Sequence, residues 1–202
     1  MTYVSSGDDA ALASVHGETL QDIAVRSIRH GLGLGPEPLP QIDALPKPLQ
    51  QHRATFVTLE TDSQLRGCVG TAMACRPVAL DVAFNAHGAA FRDIRFTPLR
   101  AEEWASLTIS ISILSPMEPM IVADEGDLLA RLRPGIDGLL ITEGQRRGLF
   151  LPQVWEQLPD PRDFVAHLKQ KAGIAADYWS AAIAVQRFAI TYIPARAAIS
   201  CP

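Results

Sequence analysis

Between Leu107 and Leu114 the chain alternates at period two: Leu107, Ile109, Ile111 and Ile113 are apolar, and Thr108, Ser110 and Ser112 between them carry hydroxyls. That pattern predicts a half-buried β-strand with one apolar and one polar face. Upstream, Ala54 to Glu60 and Leu65 to Thr71 flank the turn-prone Thr61-Asp62-Ser63-Gln64 and read as an antiparallel hairpin. A second hairpin is expected from Gly138 to Glu143 and Gly148 to Leu151, across a loop Gly144-Gln145-Arg146-Arg147. A last strand is expected over Ala184 to Ile193, with Phe188, Ile190 and Tyr192 on one face.

Helical segments lie between these strands. Asp8 and Asp9 are candidate N-caps of a helix that places Leu12, Val15, Ile23 and Ile28 near one face and stops at Gly31 and Gly33. Five prolines between Pro36 and Pro48 predict an extended connector without helix. Pro77 opens a helix to about Phe91 with Val78, Val82, Ala86 and Ala89 as its buried stripe. Asp124 to Leu132 and Asp160-Pro161 to Lys171 are two more, each with a capping aspartate. Helices interleaved with hairpins predict an α+β fold with a mainly antiparallel sheet flanked by helices.

The 202-residue chain is long enough for one domain or two small subdomains, and its formal charge of −4 offers no basic field for nucleic acid. Met1 to Asp9 lacks the layout of a signal peptide, and no stretch approaches the roughly 18 apolar residues of a membrane span, so a cytoplasmic protein with no membrane contact is expected. Cys68, Cys75 and Cys201 are odd in number and form no CxxC pair, which argues against a disulfide framework. Cys68, Cys75 and His87 match no closed zinc spacing, and no phosphate loop, dinucleotide fingerprint, GxSxG or HExxH occurs. No metal or cofactor is therefore expected.

The chemistry-bearing stretch is Leu65 to Thr71. Simple alternation puts Arg66, Cys68 and Gly70 on one face, with guanidinium and thiol about 6 to 7 Å apart at their bases. One reading makes Cys68 a nucleophile or redox thiol activated by Arg66 or Arg95, since the thiolate is the reactive form. The other makes Gly67, Cys68 and Gly70 small spacers that let the Pro77 helix pack closely on the strand. Arg66 and Arg95 could clamp an anion, or Asp93 could tie one of them into an ion pair. His87 is a candidate base, its near-neutral pKa suiting proton transfer, and also a plausible packed histidine. Lys171 and Trp179 are read as a helix-end stabiliser and a core residue.

Several separated stretches resemble one family from about residue 20 to 192. They are Phe56-Val57-Thr58-Leu59, Leu65-Arg66-Gly67-Cys68-Val69-Gly70-Thr71, Ala89-Ala90 with Asp93-Ile94-Arg95-Phe96, and Ile109-Ser110-Ile111-Ser112 before Leu114-Ser115. Gly138 to Ile141, Gly148 to Val154 and Lys171-Ala172-Gly173 with Trp179 follow. The LRGC motif followed by LPQV is similar to the AMMECR domain, AmmeMemoRadiSam system protein A. Ile94 stands where that family usually has proline, and an acidic residue expected after the last aromatic is absent around Tyr192 to Pro194. The resemblance implies a larger subdomain carrying both termini, a smaller inserted one and a cleft between them. It also implies association with a Memo-like protein and a radical-SAM enzyme.

Two functional readings result. In one, the chain is a small-molecule enzyme or enzyme component with Cys68, Arg66 and His87 as catalytic candidates and Arg66, Gly67, Gly70, Thr71, Asp93, Arg95 and Phe96 at the ligand. In the other, it is a non-catalytic binding or adaptor module using the same residues to hold a ligand or partner.

Overall fold

The computed structural model describes residues 7–35 and 40–198, apart from the side chains of residues 7–9. The side chains of the expected caps Asp8 and Asp9, whose backbone already lies within the first helix, fall outside what is described, as do connector residues 36–39 and Cys201. In chain order the elements are α1 (Gly7–Gly31), α2 (Lys47–Gln50), β1 (Thr55–Thr61), β2 (Gln64–Gly70), α3 (Val78–Phe91), β3 (Leu107–Leu114), β4 (Glu118–Met120), α4 (Glu125–Arg131), β5 (Gly138–Glu143), β6 (Arg146–Phe150), α5 (Pro161–Lys171), β7 (Ala184–Phe188) and β8 (Ile190–Ala197). The fold is α+β, with two antiparallel four-stranded sheets in the orders β2-β1-β3-β8 and β4-β7-β5-β6. Of the described residues, 7–114 and 191–198 form one compact unit and Ser115–Ile190 a second. No helix among the described residues is long and apolar enough to cross a membrane.

In the larger unit, α1 and α3 pack on each other and on one face of the sheet. The period-two residues Ile109, Ile111 and Ile113 and their neighbours Val57 and Leu59 are buried there with Leu20, Ile28, Val78 and Val82. Val15 is 70% exposed, contrary to the expected stripe. At about 100° per residue it falls outside the arc spanned by Leu12, Leu20, Ile23, Ala24 and Ile28. The proline-rich connector also holds one helical turn, α2, because Pro46 stands at its N-cap and Pro48 within its first turn, where a missing N–H costs nothing.

The first hairpin closes on Asp62 and Ser63, whose φ angles of 53° and 60° give the left-handed pair that matches strand twist. Its register slips by one between Leu59 and Glu60: Gly67 faces Leu59 and Leu65 faces Glu60, which leaves Arg66 as the extra residue of a β-bulge. The simple alternation expected through Leu65 therefore ends at Arg66.

The smaller unit is built around Trp155, whose ring stacks on Phe164 at 3.8 Å and whose indole N–H donates to the Asp137 carbonyl. Asp124 and Asp160 accept the first-turn N–H groups of α4 and α5. Lys169 is fully buried and meets Glu125 at 2.9 Å and the Tyr178 carbonyl at 3.1 Å. The second hairpin turns on Gly144 and Gln145 alone, so Arg146 and Arg147 belong to β6 and not to the loop. The expected last strand divides at Ala189 into β7 and β8, which join different sheets. Phe188 and Ile190 are accordingly buried while Tyr192 is 43% exposed.

Candidate functional site

Cys68 lies opposite Thr58 on β1, and Thr58 lies opposite Ser110 on β3. Alternation sets these three side chains on the sheet face away from Val57, Leu59 and Ile111. The Thr58 hydroxyl donates to the Cys68 sulfur at 3.4 Å, and the cysteine is partly buried. Its backbone is held on both sides. The Cys68 N–H donates to Asp93 Oδ2 at 2.9 Å, and Arg95 Nη2 donates to the Cys68 carbonyl at 3.3 Å.

Asp93 ties this arrangement together. Arg95 reaches it through Nε at 3.0 Å, Nη2 at 2.7 Å and its own backbone N–H at 3.1 Å. The Arg95 guanidinium holds the Asp93 carboxyl far below the usual carboxylate range, against the opposing push of burial and with help from the Cys68 N–H. Arg95 is raised in turn, first by its hydrogen bond to Asp93, with burial opposing and the Asp93 charge assisting. Asp93 and Arg95 therefore form the ion pair that the sequence left open against an anion clamp. Ile94, between the two charged residues, is fully exposed.

Arg66 is committed elsewhere. Its Nε and Nη2 donate to the two oxygens of Glu103 at 2.6 and 3.1 Å, and Nη2 also reaches the Thr97 carbonyl at 2.9 Å. Its Nη1 is buried without a hydrogen-bond partner. Arg66 lowers the Glu103 pKa, with burial opposing and the Arg100 N–H assisting. The Phe96 ring centroid is 5.9 Å from Arg66 Cζ and 5.5 Å from Arg95 Cζ. Beside them an open cavity of about 480 Å³ is lined by Arg66, Phe96, Thr97, Arg100, Glu102 and Glu103.

The remaining candidates sit apart from the thiol's contacts. Thr71 donates to both oxygens of Asp81, at 2.8 and 2.7 Å. That fully buried carboxylate also accepts from the Thr55 N–H and hydroxyl, Arg76 Nε and Asn85 Nδ2. Gly67 lies against the backbone of α3, and Gly70 lies against the Phe56 ring. His87 packs on Phe91 with ring centroids 4.8 Å apart, and its pKa is lowered by burial, then by Arg92 and His30. Lys171 donates to the Leu149 carbonyl at 2.9 Å, and Trp179 packs on the smaller unit's core. Among the described residues no three of His, Cys, Asp and Glu gather to hold a metal ion.

Sequence reasoning missed Asp81, Asn85, Thr58 and Glu103. Asp81 and Asn85 did leave a signal, two polar residues at i and i+4 in a helix that is otherwise apolar except for His87. Thr58 was hidden by the Arg66 bulge, because uninterrupted hairpin pairing sets Gly67, not Cys68, against it. Glu103, 37 residues from Arg66, left none.

Comparison with known proteins gives one consistent result. The AMMECR1 family profile matches residues 21–193. A protein of Methanothermobacter thermautotrophicus is 37% identical over 169 residues, covering 83% of this chain and 88% of its own length. One from Thermotoga maritima is 35% identical over 166 residues, covering 81% and 87%. The crystal structure of an uncharacterized protein from Pyrococcus horikoshii superposes with a TM-score of 0.78 at 30% identity, covering 89% of this chain and 95% of that one. With the profile spanning most of its length and relatives above 30% identity aligned nearly end to end, this chain belongs to the AMMECR1 family.

Proposed function

We propose that the chain is a cytoplasmic small-molecule enzyme, or a component of one, whose reacting group is the Cys68 thiol. The observation that carries this reading is the treatment of Cys68 itself: its N–H and carbonyl are fixed by Asp93 and Arg95 while its sulfur takes a hydroxyl hydrogen bond from Thr58. Charge-assisted bonds to the backbone hold a side chain's base still, which a reacting group requires. Arg66 bounds the same region through Glu103. Family association adds a Memo-like protein and a radical-SAM enzyme as partners in the same process. The test is the rate of Cys68 alkylation against pH in the folded chain, with Cys75→Ser removing the exposed competitor. A thiol pKa clearly below about 8.5, rising in Thr58→Val and restored in Thr58→Ser, supports the reading. A pKa at or above that value, or no alkylation, removes the nucleophile.

The second reading is a non-catalytic binding or adaptor module. The two ion pairs favour it: Arg66 with Glu103 and Arg95 with Asp93 leave both guanidinium groups neutralised within the fold. It prevails if Cys68→Ser leaves product formation of the assembled system intact while Arg66→Ala abolishes complex formation.

A further inference from the structure

Six of the seven phenylalanines have an evident place in the packing: Phe91, Phe150 and Phe164 belong to the two apolar clusters, Phe188 is buried, and Phe84 and Phe96 lie beside guanidinium groups. Phe56 does not. It is partly exposed, belongs to neither cluster, and makes no ring or cation contact among the described residues. Strand pairing sets its place. Phe56 faces Gly70 and Thr58 faces Cys68, so alternation puts all four on one face of the sheet, beyond the bulge at Arg66. A Cβ built on Gly70 would stand 2.2 Å from Phe56 Cγ and 2.3 and 2.6 Å from its two Cδ atoms, so the ring fills the space of a Gly70 side chain. Gly70 and Cys68 are one pleat repeat apart, about 6.5 Å. The ring therefore neighbours the thiol along β2, as the Thr58 hydroxyl does across the sheet.

We propose that Phe56 is the specificity-determining residue of the Cys68 site, and that the substrate presented to the thiol carries an aromatic ring. The substrate ring packs on Phe56 while an electrophilic carbon a few bonds away meets the sulfur. Offset or edge contacts between two rings, with centroids about 4.5 to 7 Å apart, are favourable beyond the area they bury, and an aliphatic group of equal size lacks that gain. This inference rests on the proposed thiol chemistry and adds the class of its substrate. A ring that covers a strand glycine also shields the backbone there. That role alone predicts a loss of stability in Phe56 variants with no change in selectivity.

The test compares alkylation of Cys68 by N-phenylmaleimide and by N-cyclohexylmaleimide, whose rings match in size, in the full chain carrying Cys75→Ser to remove the exposed competitor. Rates are read at the Cys68 peptide by mass spectrometry, and each is divided by the same reagent's rate with free glutathione. In this addition the thiolate sulfur bonds to one alkene carbon, the π electron pair moves to the other, and that carbon takes a proton from water. No oxidant is involved. The expected phenyl-to-cyclohexyl ratio is about five, falling to about one in Phe56→Leu and restored in Phe56→Tyr. A ratio of about one in the parent, with Cys68 reactive, overturns this inference and leaves the thiol reading standing. A Phe56→Leu chain that loses Tm but keeps the parent's ratio overturns it as well. No reaction of Cys68 with either maleimide removes the thiol reading and this inference together.

Discussion

A Cβ on Gly67 would stand 2.2 Å from the carbonyl oxygen of Ala89, so β2 and α3 meet backbone to backbone at that point. Gly88 repeats the contact from the helix side, where a Cβ would come within 2.9 Å of Val69. Gly67→Ala must push the helix off the strand, and overpacking of this kind costs on the order of 3 kcal/mol. A urea titration of the variant should show a lower midpoint, whereas Cys68→Ala, on the opposite face, should shift it by less than about 1 kcal/mol. Equal losses at the two positions would contradict the close approach.

Asp81 joins four segments through one buried carboxylate. It fixes the start of β1 through Thr55, the residue after β2 through Thr71, the following loop through Arg76, and its own helix through Asn85. Removing one partner of a buried charge network leaves the others unpaired, so Asp81→Ala should destabilise the larger unit by about 3–5 kcal/mol in chemical denaturation. Thr71→Val should cost less, because the hydroxyl is one of several donors.

Acid should act on the Asp93 and Glu103 ion pairs. Both carboxyls titrate below their ordinary values in the folded chain, so their stabilisation is complete above the unfolded value of about 3.9 to 4.3 and is lost as pH falls through and below it. Asp93→Asn should flatten the fall in stability below about pH 4 while lowering stability at neutral pH. Unfolding midpoints measured from pH 7 down to pH 2 check both signs.

His87 works in the opposite window. Burial, Arg92 and His30 lower its pKa, so the unfolded chain binds the extra proton more readily and stability rises with pH up to about 6.5. His87→Gln should reduce the slope of stability against pH just below about 6.5. An unchanged slope would place the titration elsewhere.

How much of this was legible varied with the physical source of each feature. Strand β3 follows from period two alone, and α5 from the sequence of capping aspartate, first-turn proline and Gly173, whose φ of 75° is the left-handed stop. Strand β4 was not legible, because it is three residues long and contains Pro119, which pairs with Gln186 on an edge strand that tolerates it. The apolar rhythm of 184–193 hid the break at Ala189 because Phe188 and Ile190 on either side of it are both buried, although they belong to strands of different sheets. At the site, the hairpin and the Asp93 to Phe96 loop were readable. The choice of partner for each arginine was not, since Glu103 approaches Arg66 through the fold and not through any local spacing.

The division at Ala189 has a further outcome. Ser115 and Ala189 hold each other by two hydrogen bonds, the Ser115 N–H to the Ala189 carbonyl and the Ala189 N–H to the Ser115 hydroxyl, so the segment from 115 to 190 enters and leaves at one place. Strands β3 and β8, which end and begin there, are already sheet neighbours. A short turn in place of that stretch would join β3 to β8 as an ordinary hairpin, so the sheet that carries Cys68 does not depend on residues 115–190 for its strand order.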